Sequence, residues 1–317
     1  MTAEAEGFIP RAPLRLEGTD IAYPGARRPD RHRMVDAQGV GLSVWEWGEP
    51  DAPPMLFAHG GFDFAGTFDC LAPLVADAGW RVVSWDQRGH GDSDHAHLYS
   101  WDADLRDALA VLDSIGTAPM PVVGHSKGGA LMLQLADCRP DRVSHLANLD
   151  GLPSARSWPD VPDHTRTQMR HDELAAWLEH RRLASGKVRR PGTVEELAER
   201  RGRMNPRLDP AWLQYVVPIG GYVRPDGWRW KIDPSMRLGG FGPWRPEWSM
   251  ARLPALGMPV LCVLGLALEL MGWGTLPEDV EPNLPVSGRF VALDGIGHFV
   301  HIEAPQAVAD LILELVA

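Results

Sequence analysis

The run Met120-Pro121-Val122-Val123-Gly124-His125-Ser126-Lys127-Gly128-Gly129-Ala130 decides how the chain is read. Residues 120–123 are short and wholly apolar, the pattern of a strand buried on both faces, and 128–137 have helical spacing. Between them stands a serine with a glycine two places before and two places after it. GxSxG alone matches by chance fairly often; at a strand-to-helix turn in an alternating chain it is far more specific. A turn that tight has no room for side chains at Gly124 and Gly128. It pushes the Ser126 hydroxyl out at the end of the sheet, beside the unpaired N–H groups of a helix N-terminus that suit a developing oxyanion. Ser126 is the candidate nucleophile; the competing reading is a glycine-rich turn with an incidental serine.

The pattern around this turn repeats. Residues 40–47, Pro54–Ala58, Arg81–Trp85, Val143–Leu149, 259–264 and 289–293 read as strands. Residues 69–78, Trp101–Ile115 and 304–316 read as helices. Short apolar strands alternating with helices predict an α/β fold, a mostly parallel sheet with helices on both faces. The alternation stops at Gly151 and resumes after residue 252. The core is therefore expected at 35–153 and 253–317, with 154–252 inserted as a helical cap over the carboxyl ends of the strands. Residues 1–34 are expected to be an irregular arm. In the cap, Thr193-x-x-Glu196 resembles a capping box, and Asp209-Pro210 reads as N-cap plus N1 proline. The cap holds seven of the chain's thirteen tryptophans. Some must pack the cap; the rest would line a pocket suited to apolar or aromatic groups.

Composition narrows the function. The 317 residues are 44% hydrophobic and 23% charged, ordinary for a globular protein. The net charge of −11 argues against a nucleic-acid partner. No apolar run approaches the roughly 18 residues of a membrane span. Cys70, Cys138 and Cys262, an odd set without CxxC spacing, read as small buried side chains in a reducing compartment. The N-terminus has no apolar segment of a signal peptide, so a cytoplasmic location is expected. An excess of Arg over Lys, with abundant Ala, Gly and Pro, hints at a bacterial source.

Two further loops carry candidate chemistry. Gly295-Ile296-Gly297-His298 follows the last strand, from which His298 can reach Ser126 as general base and then acid. Its competing reading is a surface histidine, and His301, lacking the glycine flank, reads as the approach to the last helix. His59-Gly60-Gly61-Phe62-Asp63 follows another strand. There the Gly61 N–H, with that of Lys127, would form a two-donor oxyanion hole. His59, His90 and His125 read as structural, and the Lys127 side chain as facing solvent or the pocket rim. No HExxH or clustered ligand set occurs, so neither metal nor cofactor is expected.

The segments HGGFD (59–63), SWDQRGHGDSD (84–94), VGHSKGG (123–129) and GIGHFVHIEAP (295–305), in this order, resemble the α/β-hydrolase superfamily. The resemblance covers nearly the whole chain from about residue 35. Arg203-Met204-Asn205-Pro206-Arg207-Leu208 and Gly227-Trp228-Arg229-Trp230-Lys231-Ile232-Asp233-Pro234 are similar to one subgroup, the kraken-type serine-hydrolase-like proteins. The resemblance implies an eight-stranded sheet, a nucleophile–acid–histidine triad and a substrate pocket between core and cap. Gly61 and Lys127 match the family's oxyanion-hole positions. Relatives that open epoxides or cleave carbon–halogen bonds use an aspartate at the turn, so Ser126 favours acyl transfer. The implied activity is hydrolysis of a carboxylic ester or related acyl compound with an apolar group, through an acyl-enzyme. The alternatives are a C–C bond hydrolase, a lyase- or cyclase-type enzyme, or a non-catalytic binding protein. The triad acid departs from the common pattern: the loop after strand 259–264 offers Glu269 and no aspartate. Asp150, at the end of the strand before the cap, is the other candidate and is preferred.

Overall fold

The computed structural model describes residues 21–153, 163–184, 186–236 and 246–317. In chain order the elements are β1 (Arg31–Asp36), β2 (Gly41–Trp47), β3 (Pro54–Ala58), α1 (Ala72–Asp77), β4 (Arg81–Trp85), α2 (Trp101–Ile115), β5 (Met120–His125), α3 (Lys127–Cys138) and β6 (Val143–Leu149). Then follow α4 (Asp163–Ala184), α5 (Val194–Gly202), α6 (Pro210–Gly220), β7 (Gly221–Arg224), β8 (Gly227–Trp230) and α7 (Pro246–Arg252). The chain closes with β9 (Val260–Gly265), α8 (Pro277–Val280), β10 (Gly288–Leu293), α9 (Val300–Glu303) and α10 (Pro305–Leu315). Among the described residues no helix is long and apolar enough to cross a membrane.

Eight strands form one sheet in the order β1-β2-β4-β3-β5-β6-β9-β10. From β4 to β10 every neighbouring pair is parallel, while β1 and β2 join antiparallel. The strands read as unbroken apolar runs because alternate side chains feed different cores. Leu56, Val83 and Val122 pack on one face with Leu112 and Leu131 of α2 and α3. Their neighbours Phe57, Val82 and Val123 pack on the other with Val75 of α1 and Ile312 of α10. After β3 the chain winds to β4 on one side and later returns to β5 on the other. Order therefore reverses between β3 and β5, and the crevice at their carboxyl ends is where open α/β sheets bind ligands.

A third cluster joins the insertion to the core. Leu197 of α5 and Trp212, Leu213, Val216 and Val217 of α6 pack with Phe64 and Phe299. The expected caps are present: Thr193 and Glu196 form a capping box, and Asp209 accepts the Ala211 N–H at 2.8 Å.

Three local readings change. Residues 31–34, assigned to an irregular arm, begin β1, which pairs with β2 from Arg31↔Glu46 to Asp36↔Gly41. The alternation is hidden because the sheet-facing positions are Arg31 and Arg33, held by Glu46 at 3.5 and 2.8 Å, rather than apolar residues. The inserted segment is not purely helical, since β7 and β8 form an antiparallel hairpin around Pro225-Asp226. Four-residue strands are too short to show a period. Cys138 is exposed at the end of α3, whereas Cys70 and Cys262 are buried and all three are free. Residues 1–20 of the arm, and Trp158 and Trp244, lie outside the described residues.

A methyl group at Gly128 would overlap the Ala58 and His59 carbonyl oxygens, whereas one at Gly257 would meet nothing within 4 Å. Gly128→Ala is expected to destabilise the protein by about 3 kcal/mol or more, as overpacking against backbone cannot relax. Gly257→Ala should stay within about 0.5 kcal/mol. Urea unfolding midpoints of the two variants check this.

Candidate active site

Ser126 sits between β5 and α3 with φ 52° and ψ −120°, left-handed backbone that a non-glycine residue adopts only where its surroundings force it. What forces it is close packing. A methyl at Gly124 would overlap the Gly128 carbonyl, so strand and helix cross at backbone contact. Ser126 precedes the first turn of α3 without bonding it through its side chain. It is 9% exposed.

The next strand end lies alongside. β5 and β6 are in register at Gly124↔Asn148 and His125↔Leu149, and the Ser126 N–H donates to the Leu149 carbonyl at 3.0 Å. Asp150 follows with φ 49°, a conformation that aspartate tolerates better than most residues. Its N–H donates to the Val263 carbonyl of β9 at 2.8 Å. Its Oδ2 lies 3.4 Å from His298 Nδ1, both side chains being almost fully buried. It is a charge contact and not a hydrogen bond, since His298 Nδ1 has no hydrogen-bond partner. Glu269, the other candidate acid, meets His298 elsewhere: its Oε2 accepts the backbone N–H at 3.2 Å. Burial, then the neighbouring Glu303, pushes the Glu269 carboxyl up from its ordinary range.

The loops after β3 and β4 are fastened by buried histidines, each tautomer set by its partners. His59 Nε2 accepts the Gln87 N–H at 2.9 Å, so Nδ1 carries the proton and donates to the Gly60 carbonyl at 2.7 Å. His90 Nε2 accepts the Phe62 N–H at 3.1 Å and Nδ1 donates to the Arg88 carbonyl at 3.0 Å. Burial drives His59 down to about 3 and His90 well below the usual imidazole value, so both are neutral pegs. Asp86 completes the fastening by accepting from Trp45 Nε1, Ala65 N–H and Asp92 N–H. With the Phe62 N–H spent on His90, Gly61 is the residue left facing Lys127. A Cβ built on Gly61 would stand 3.9 Å from Lys127 Cβ.

The Lys127 side chain does not face solvent. It runs inward, with Nζ 2.7 Å from Gln87 Oε1 and 2.7 Å from Asp104 Oδ2, both buried. An apolar surrounding was no bar, because α2 supplies the counter-charge that a buried ammonium requires.

His125, the residue before the serine, donates from Nε2 to the His298 carbonyl at 2.9 Å. Its ring packs at a tilt against His298 and His301, with centroids 4.8 and 4.2 Å apart. His301 is fully buried, against Phe68 on its other side, and burial drives it down to about 3. Asp63 and Arg201 escaped the sequence reading. Asp63, buried beside His125, is paired with Arg201 at the end of α5, whose guanidinium also lies over the Phe64 and Trp230 rings. Asp63 could have been suspected from the HGGFD run; nothing in the sequence marks its partner 138 residues away. Among the described residues no group of three or more His, Cys, Asp or Glu could hold a metal ion.

Comparison with known proteins agrees with this architecture. A family model for the alpha/beta hydrolase fold matches residues 53–175. Epoxide hydrolase A of Mycobacterium tuberculosis is 36% identical over 89% of this chain and 96% of its own length. A serine hydrolase-like protein of Danio rerio is 25% identical over 84% of this chain and 82% of its own. Among solved structures, the thioesterase domain from the curacin biosynthetic pathway is similar with a TM-score of 0.73 at 25% identity, covering 89% of this chain and 99% of that one. An eight-stranded sheet whose strand order reverses between β3 and β5, a strained serine turn at that reversal and a relative matching almost end to end make this chain an enzyme of the α/β-hydrolase family.

Proposed function

We propose that the protein is a serine hydrolase that cleaves a carboxylic ester or thioester with an apolar acyl group. The observation that carries this reading is the strained Ser126 turn beside the Asp150–His298 contact of 3.4 Å. Ser126 Oγ attacks the acyl carbon while His298 takes its proton. The carbonyl oxygen gains negative charge, which the Gly61 and Lys127 N–H groups stabilise. The C–O or C–S bond breaks, the leaving group receives the proton from His298, and the acyl group stays on Ser126. Water, deprotonated by His298, then releases the acid and restores the serine.

Asp150 orients the His298 ring and stabilises its charged form. Glu269 suits that role less well, since its carboxylate contacts the backbone and is itself disfavoured as an anion by burial and Glu303. Serine at the turn, where epoxide-opening relatives of the resembled family have aspartate, favours acyl chemistry despite the likeness to an epoxide hydrolase. The likeness to a thioesterase domain supports including thioesters. The apolar preference is supported by Phe62, which is half-buried next to Gly61 and packs against Tyr99, Ile232 and Met236. The cap tryptophans support it less, because Trp212 is fully buried between Tyr23 and Tyr215 in cap packing.

Ser126→Ala should fold like the wild type and lose about 10⁶ of kcat, keeping a residue of catalysis from the oxyanion donors. A fluorophosphonate probe should label the wild type at Ser126 and leave the variant unlabelled. Retention of a tenth of the activity would remove Ser126 from this role. Labelling without turnover of p-nitrophenyl esters would shift the reading to C–C bond cleavage or a lyase or cyclase step. No labelling would leave a binding protein.

Asp150→Asn should lower kcat by about 10⁴, and Glu269→Gln by less than about tenfold. The reverse ranking, measured on one aryl ester, would make Glu269 the acid. Across a series of acyl chains, kcat/KM should rise by about 0.8 kcal/mol per methylene until the pocket fills. A preference for short, charged esters would contradict the apolar assignment.

A further inference from the structure

We propose that Arg207, from the inserted segment, is a positioning residue for His298, holding its loop through two carboxylates. The proposal rests on the serine-hydrolase reading for its catalytic consequence, but the clamp itself is geometric.

The His298 loop is fixed at two successive backbone N–H groups. Gly297 N–H is shared by both oxygens of Glu303, each at 3.1 Å, and His298 N–H donates to Glu269 Oε2 at 3.2 Å. The His298 carbonyl accepts from His125. The loop therefore hangs on two carboxylates whose side chains are 1% and 10% exposed. Two buried carboxylates side by side repel, and without a cation one would take up a proton or swing away. Arg207 supplies that cation. Its guanidinium lies 3.1 Å from Glu303 Oε2 and 3.8 Å from Glu269 Oε1, and it also donates to the Gly295 carbonyl. The raised Glu269 carboxyl, shifted first by burial and then by Glu303, reports the same crowding.

The side chains close tightly over the loop, with Glu269 Oε1 held to Arg207 by charge alone and without a hydrogen bond. A Cβ on Gly297 would stand 2.8 Å from Arg207 Cδ and Nε and from Glu269 Cδ. The flanking glycine of the Gly-x-Gly-His run is thus needed because arginine and glutamate close over the backbone there. Arg207 lies six residues after Arg201, which pairs with Asp63 beside the Gly60-Gly61 loop. One short piece of the insertion therefore grips both loops that carry the proposed base and oxyanion donor. Displacing this piece would let the His298 ring drift from Ser126 even with every triad member present, and small misplacements of a reacting group are costly.

The test compares wild type, Arg207→Ala and Arg207→Lys. Arg207→Ala should lower kcat per titrated active site by about tenfold to a hundredfold, with KM changed less than about threefold, because the pocket is untouched. Fluorophosphonate labelling should slow in parallel. Hydrogen exchange of the segment 294–303 should quicken in Arg207→Ala. Arg207→Lys should recover part of both losses, since it restores the charge but not the forked geometry. Unchanged kcat and exchange, or a lowered melting temperature as the sole effect, would overturn the proposal. Failure of the wild type to label at Ser126 would defeat the serine-hydrolase reading alone, and the exchange comparison would still decide the clamp.

Discussion

The crossing of α3 over β3 and β5 is the constraint on which the remainder of the site depends. At Gly124 and Gly128 the helix touches the strands backbone to backbone, so the chain can leave β5 and enter α3 only through a residue in left-handed conformation. That residue is Ser126. Its strain of on the order of 1–3 kcal/mol is sustained because two buried sheets of side chains fix strand and helix independently. The same crossing sets the height of Leu149, whose carbonyl receives the Ser126 N–H, and hence the place of Asp150.

Around this turn, polar groups are buried densely; those of the loops after β3 and β4 are matched, whereas both ring nitrogens of His301 and Nδ1 of His125 and His298 have no hydrogen-bond partner. The loops after β3 and β4 are irregular backbone that strands and helices cannot satisfy, so His59, His90 and Asp86 supply the missing donors and acceptors. Neutral imidazole fits such a place because one nitrogen donates while the other accepts, and burial holds the ring uncharged. Lys127 carries a charge into the same region and is compensated by Asp104. Preorganisation of this kind costs nothing at the moment of reaction.

The insertion is part of this fastening rather than only a cover. Lys231 pairs with Asp92 at 2.7 Å, Tyr99 donates to Asp233, Tyr215 donates to Asp69 at 2.6 Å, and Arg201 pairs with Asp63. These contacts join the segments inserted between β6 and β9 to the loops after β3 and β4 and to the start of α2. Charged groups that would each be unfavourable alone in the interior become tolerable in pairs drawn from the sheet's loops and the inserted segments, which makes correct docking of the two a condition for burying either.

The inner strands of the large sheet were legible in the sequence, because a strand buried on both faces must be a short apolar run whatever its neighbours are; β1, β7 and β8 were not. The sequence likewise determined the serine turn, since only glycine tolerates the backbone contacts flanking Ser126, and the helix starts at Thr193 and Asp209, whose capping is local. It marked His298, Asp150, Glu269 and Gly61 in loops and Lys127 at a helix start as candidates. The meeting of one carboxylate with the His298 ring and the other with its backbone came from tertiary structure, because Asp150 follows β6 directly while Glu269 lies further along the loop after the neighbouring β9, and nothing local ranks the two. Only tertiary structure turned Lys127 inward, made Arg31–Asp36 a strand through its pairing with Glu46 on β2, and brought Arg201 and Arg207 onto their carboxylates. Pairings between charges far apart in the chain leave no period and no spacing in the sequence; they exist only once the apolar cores have fixed where the loops end.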